Sequence, residues 1–146
     1  MRVLLDTNIL IDFFTKRNGF GEPAREVMFL LKGKKKRADG YISAHTVMDL
    51  CYYLRKEPRD KISRIVQRLC RMFEVVGTTQ REILNAAKRM DFKDFEDSVV
   101  NQAAVVCEAD YIITRDFREG HFNSSDVPII SPTDFLKLFI ENEDIR

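Results

Sequence analysis

The chain has 146 residues, 45% of them hydrophobic, with 24 Lys and Arg against 23 Asp and Glu, 11 Phe and no Trp. Such a length buries about 70% of the surface an unfolded chain exposes, so one core needs neither disulfides nor a structural metal. The net charge of +1 excludes a uniformly basic nucleic-acid coat and an acidic tail protein, and no apolar run approaches the ~20 residues of a membrane span.

The N-terminal stretch MRVLLDTNILIDFF holds acids inside its apolar run and lacks a small-residue cleavage site, which argues against a signal peptide. Arg2–Leu5 reads as a buried strand that stops at Asp6, followed by a helix-like Ile9–Phe14. Gly19 and Gly21 break the chain, and Pro23 suits a first helical turn ahead of a helix over 24–32. Residues 32–37 form a basic loop. Tyr41–Ser43 is a second strand, with Ser43 as N-cap of a helix over 44–56. Asp60 is expected to cap the next helix, whose Ile62, Ile65, Val66, Leu69, Cys70 and Phe73 make a core stripe of helical period. A third strand, Phe73–Val76, ends at Gly77. Thr79-Gln-Arg-Glu82 is a capping box, and Asp94-Phe-Glu-Asp97 opens an apolar helix running through Val106. Tyr111–Thr114 and Pro128–Ile130 read as strands four and five, and Ser131-Pro-Thr-Asp134 caps a last helix over Phe135–Ile140.

Strands alternating with helices predict a single domain over 1–146, a three-layer α/β sandwich with a mainly parallel central sheet. Cys51, Cys70 and Cys107 are scattered through helix-like segments and read as reduced core thiols of a cytoplasmic protein. Two histidines and no C-x-x-C argue against a zinc site. His121 lies in a Gly/Asn/Ser loop and reads as solvated, and His45 as partly buried or hydrogen-bonded; neither carries catalytic weight. No G-x-x-x-x-G-K-[ST] or G-x-G-x-x-G supports nucleotide binding.

In an open parallel sheet, sites form at the carboxyl ends of the strands. Asp6 ends strand one, Asp116 follows strand four, Asp97 lies in a first helical turn, and Asp49 sits about a turn and a half into the helix after strand two. Four carboxylates meeting at one edge would repel unless they held a hard divalent cation such as Mg²⁺ or Mn²⁺, which favours phosphodiester hydrolysis. Taken one at a time, these acids could equally be turn, cap or solvated residues. Asp94 in particular is a good N-cap.

Four segments, MRVLLDTNILIDFF, YISAHTVMDLCYYLRK, DFEDSVVNQAAVVCEADYIITRDF and VPIISPTDFLK, resemble the PIN-domain family in order and spacing over about positions 2–139. The resemblance implies a metal-dependent nuclease with Asp6, Asp49, Asp97 and Asp116 as its Mg²⁺ or Mn²⁺ site, supported by Asn8, Thr114 and, as an outer ligand or only a cap, Asp94. It further implies RNA as substrate, products with a 5′-phosphate and a 3′-hydroxyl, and a homodimer. In the VapC-like toxin branch it also implies an antitoxin partner. The second acid of the family is more often Glu; Asp49 is one methylene shorter and would reach a metal through water or from a closer helix. That departure motivates the alternative, a PIN-fold RNA-binding or interaction module with little or no catalysis. A phosphate-handling or receiver-like α/β protein fits less well, because no second Asp follows Asp6 in D-x-D fashion.

Charge is unevenly spread: residues 1–73 sum to +8 and residues 74–146 to −7. The cations available to an RNA backbone are Lys34, Lys35, Lys36 and Arg37 in the loop and Arg64 and Arg68 on one helical face. Arg115, beside Asp116, could contact phosphate or equally pair with a nearby acid.

Overall fold

The computed structural model describes residues 1–32 and 36–143, with side chains through 140. Lys34 and Lys35 therefore lie outside the described residues. Among the described residues five strands form one sheet: β1 (Arg2–Leu5), β2 (Asp39–Ser43), β3 (Glu74–Val76), β4 (Tyr111–Ile113) and β5 (Ile129–Ile130). Their order is β3-β2-β1-β4-β5, and each neighbouring pair is parallel. Among the described residues seven α-helices surround it: α1 (Thr7–Thr15), α2 (Gly21–Leu31), α3 (Ala44–Tyr53), α4 (Arg59–Met72), α5 (Gln80–Ala87), α6 (Phe95–Val106) and α7 (Pro132–Glu143).

The alternation of a strand explains the layers. Val3 and Leu5 of β1 point into a core filled by Ile9 and Leu10 of α1, Val27 and Met28 of α2, Leu50 of α3, Leu69 of α4 and Phe135 of α7. Leu4, between them, points the other way, against Val100, Ala103 and Ala104 of α6 with Phe122 and Val127. A central strand covered on both faces has no polar side, hence its unbroken apolar run. The expected three-layer α/β sandwich stands, and among the described residues the sheet is wholly parallel. No helix among those residues is long and apolar enough to cross a membrane.

Four local expectations change. The third helix ends at Tyr53 rather than 56; Leu54 caps it, turns follow through Glu57, and Pro58 forces its predecessor out of helical conformation. Pro58, not Asp60, occupies the cap position of α4, and Asp60 pairs with Arg64 one turn on at 2.7 Å. Cys70 is exposed: of the expected stripe Leu69 and Phe73 are sealed into the core, while Ile62, Ile65 and Val66 remain half-buried. Cys51 and Cys107 are half-buried rather than core fillers.

Candidate metal centre

Strand order reverses direction about β1: the chain steps to β2 on one side and later returns to β4 on the other. The crevice beyond the carboxyl ends of β1 and β4 is the switch point at which open parallel sheets bind ligands. Asp6 stands there. Its backbone N–H extends the ladder to the Ile113 carbonyl at 3.0 Å, and its side chain caps α1 by accepting from the Thr7 N–H at 2.7 Å. The second carboxylate oxygen accepts from Asn8 Nδ2 and from Thr114 Oγ1, each at 2.8 Å. Thr114 Oγ1 in turn accepts from the Asp116 N–H at 3.0 Å, so β4 and its following turn are tied to Asp6.

Asp6 is only 8% exposed. Burial pushes its carboxyl up to about 7, against the pull of Thr114 and Thr7, and the charges of Asp97 and Asp116 push the same way. Those two effects place Asp6, Asp97 and Asp116 in one electrostatic neighbourhood. Asp97 is likewise raised, first by desolvation. Asp116 moves the opposite way, because the guanidinium of Arg118 donates to both its oxygens at 2.9 and 2.7 Å. Burial and partners thus pull the three carboxyls in different directions.

His121 completes this group and corrects its reading as a solvated loop residue. Its Nδ1 lies 2.7 Å from Asp97 Oδ2 and 3.6 Å from Asp116 Oδ2, and the side chain is mostly buried. Asp94, Asp97 and His121 each offer a ligand atom within 4.8 Å of the other two. Asp94 is also the N-cap of α6, accepting from the Glu96 N–H at 2.9 Å, while Asp97 serves His121 rather than answering the cap. The loop that carries His121 is clamped to α6. Buried Asn101 accepts from Ser125 Oγ at 2.9 Å and from the Asp126 N–H at 3.0 Å, and Arg89 bridges Asp91 and Asp126. Gly120 precedes the histidine at φ 78°, a left-handed conformation that glycine adopts without penalty. Its carbonyl accepts from the Lys93 N–H at 2.6 Å.

Asp49 stands in an adjoining cluster. Its Oδ2 lies 3.2 Å from Nε2 of His45, one turn earlier on α3, and that nitrogen is 3.8 Å from Oε2 of Glu96 in the first turn of α6. The two clusters are therefore neighbours through consecutive residues, Glu96 and Asp97.

The expected phosphate-binding cations are mostly engaged within the chain. Arg115 makes a two-pronged pair with buried Asp12, at 2.5 and 3.1 Å, and stacks over Phe20 at 4.1 Å. Lys36 pairs with Asp39 at 2.5 Å and Arg64 with Asp60, while Arg68 lies over Phe13 and Arg37 over Phe139. Arg118, not singled out from sequence, is the largely exposed cation at the acid crevice.

Asp6, Asp97 and Asp116 are an all-oxygen set of the kind a hard divalent cation takes, and the upward push of neighbouring acids on Asp6 and Asp97 is the crowding such an ion would offset; the ligand atoms of this crevice that lie within 4.8 Å of one another are those of Asp94, Asp97 and His121. Comparison with known proteins bears on the fold and the family. The PIN domain profile matches residues 2–118. No curated protein is similar enough in sequence to match. Among solved structures the chain resembles a toxin–antitoxin complex from Klebsiella pneumoniae, at 23% identity and TM-score 0.67 over 89% of this chain and 97% of that one. It also resembles VapBC-1 of nontypeable Haemophilus influenzae, at 20% identity and TM-score 0.67 over 91% and 99%. A third likeness is Mycobacterium tuberculosis VapC20, a sarcin–ricin loop cleaving toxin, at 15% identity and TM-score 0.63 over 79% and 90%. With the profile covering most of its length, the chain belongs to the PIN-domain family.

Proposed function

We propose that this chain is an endoribonuclease dependent on Mg²⁺ or Mn²⁺ and acts as the toxin of a type II toxin–antitoxin pair. The observation that carries the reading is Asp6 at the β1/β4 switch point, held by Asn8 and by Thr114, whose hydroxyl also takes the Asp116 N–H, with His121 Nδ1 placed 2.7 Å from Asp97 and 3.6 Å from Asp116. The likeness to toxin–antitoxin complexes supports the antitoxin partner, and a homodimer goes with the same reading.

Asp6, Asp97 and Asp116 would hold the cation, and Asp49 would contribute from α3. A bound hard cation supplies an acidified water and positive charge beside the scissile phosphate. The chain's own residues prepare that site. Thr114 and Asn8 fix the Asp6 carboxylate, and His121 fixes Asp97. Arg118 neutralises Asp116 and is exposed enough to turn toward an incoming phosphate oxygen. Water adds to phosphorus and the bond to the bridging 3′ oxygen breaks, leaving a 3′-hydroxyl and a 5′-phosphate. Cleavage of a mixed RNA pool with Mn²⁺ or Mg²⁺, lost in EDTA and in Asp97→Asn, is the expected result. RNA binding without turnover in either metal would replace this reading with a non-catalytic RNA-binding module.

A further inference from the structure

Two phenylalanines near the acid crevice take no part in either core cluster. Phe20, at the cap position of α2, is 44% exposed and Phe117 is 50% exposed. Both line a cleft of about 380 Å³, together with Pro23, Arg115, Pro132 and Thr133. An exposed apolar side chain is ordinary when it stands alone, but two rings around one cleft form a patch that asks for a contact. Arg115 supplies a third flat surface. Both oxygens of buried Asp12 accept from its Nε and Nη2, at 2.5 and 3.1 Å, which fixes the guanidinium by its edge. Its plane then lies over the Phe20 ring, 4.1 Å from the centroid. A buried ion pair therefore holds a planar cation on a ring before any ligand arrives. Unpaired nucleobases stack on rings and guanidinium planes of this kind.

Position and charge select the occupant. Phe117 directly follows Asp116, so their Cα atoms are about 3.8 Å apart. The Asp116 side chain is turned toward His121 and mostly buried, while the Phe117 ring lines the cleft. Consecutive residues thus present a carboxylate to the acid crevice and an aromatic face beside it. At Gly19 the cleft meets a larger one of about 720 Å³, lined by Lys16, Arg17, Arg25, Lys32 and Arg68 against one acid, Glu22. That surplus of positive charge suits a polyanion. The apolar cleft of Met48, Ile83 and Phe95 on the α3 side has no Lys or Arg in its lining and lacks this complementarity.

We propose that Phe20, Phe117 and the Arg115 guanidinium form a stacking subsite that holds an unpaired base of the RNA strand beside the acid crevice. The inference rests on the reading of RNA as substrate and adds what positions the nucleotide next to the scissile phosphate. Every base has a π-face, so the subsite places the strand without reading its sequence. A base already stacked in a duplex is not available to it.

The chain has no Trp, so Phe117→Trp places a lone indole in the cleft, whose fluorescence a stacked base quenches. Titrations use the full chain with Mg²⁺ in an Asp97→Asn background, which keeps the strand intact. The probes are a short oligouridylate, a ribose-phosphate strand of the same length without bases, and an RNA duplex. Quenching is expected from the oligouridylate alone. Anisotropy of labelled oligouridylate should show about fivefold or more weaker binding in Phe117→Ala and in Phe20→Ala, the lower end of what one base–aromatic stack carries, with affinity restored in Phe117→Tyr. Circular dichroism melts establish that the variants fold. Equal quenching by the baseless strand, unchanged affinity in Phe117→Ala, or no binding of oligouridylate at all overturns the inference. So does self-association that Phe117→Ala abolishes while RNA affinity stands, which would assign the patch to a second copy of the chain. Cleavage by chains with Asp97 intact keeps the two ideas apart. Base-dependent quenching without cleavage in Mn²⁺ or Mg²⁺ removes the nuclease reading alone, and cleavage whose KM is the same in Phe117→Ala removes the subsite alone.

Discussion

Asp6→Asn in metal-free protein is the perturbation whose sign is least intuitive. Asp6 is raised to about 7 in the folded chain, first by burial, whereas an unfolded aspartate titrates near 3.9. The folded state therefore holds a proton that the unfolded state has released. Its contribution is fully favourable below about pH 4 and is lost as pH rises through 7. Each pK unit is worth about 1.4 kcal/mol. Linkage across that window removes roughly 2–3 kcal/mol between pH 5 and pH 8. For a chain of this length that is a fall in Tm of about 5–10 °C. Asparagine cannot ionise, so the variant lacks this slope. It retains the acceptor for the Thr7 N–H but presents an NH₂ group to Asn8 and Thr114, where the carboxylate accepted from both. Asp6→Asn should accordingly be less stable than wild type at pH 5, by about 1–2 kcal/mol, and should draw level with or exceed it at pH 8. Thermal melts in EDTA across pH 5–8.5 measure both curves. Parallel curves for the two proteins would refute the assignment of a buried, proton-holding carboxyl to Asp6.

The remaining predictions concern neighbouring groups. His121→Ala should raise the metal concentration needed for half-maximal RNA cleavage by about 10-fold or more, since a group that holds a ligand in place typically carries that much affinity; an unchanged metal titration contradicts its role at Asp97. Arg115→Ala leaves Asp12 buried, with Arg17 still beside it at 3.8 Å, and should cost about 3 kcal/mol or more, read as a Tm drop near 10 °C. Gly120→Ala must place a side chain at φ 78° and against Lys93, and is expected to lower stability by about 1 kcal/mol; a neutral Tm would show that the turn before His121 relaxes freely.

Much of this fold can be read in the sequence because its signals are local and periodic. Short apolar runs become strands, β1 and β4 with residues in the core on both faces, and Ser43, Asp94 and Ser131 cap their helices by side-chain acceptance as their positions predict. The strand-end rule puts Asp6 and Asp116 at one edge, and the structure adds Asp97 to their electrostatic neighbourhood while tying Asp49 to His45 and Glu96. His121 was hidden for a physical reason. Its loop has no period and a solvent-like composition, and what fixes it is a clamp of residues 24 to 37 positions apart, Asn101 and Arg89 to Ser124, Ser125 and Asp126. A trace existed in Asn101 itself. An amide in the middle of an apolar helix must find partners, and a docking loop is what supplies them. Arg115 was ambiguous for the same kind of reason, since only the third dimension brings Asp12 of α1 beneath it.

The central claim is metal-dependent RNA cleavage at the acid trio. It is tested most directly by incubating wild type, Asp6→Asn and Asp97→Asn with a mixed RNA pool in Mn²⁺, in Mg²⁺ and in EDTA. The account predicts products ending in 3′-hydroxyl and 5′-phosphate from wild type with metal, none in EDTA, and a loss of at least 100-fold in each variant, on the scale of removing a principal charge-stabilising group. Wild type as inert as its variants while still binding RNA, or variants that cleave as wild type does, would contradict it.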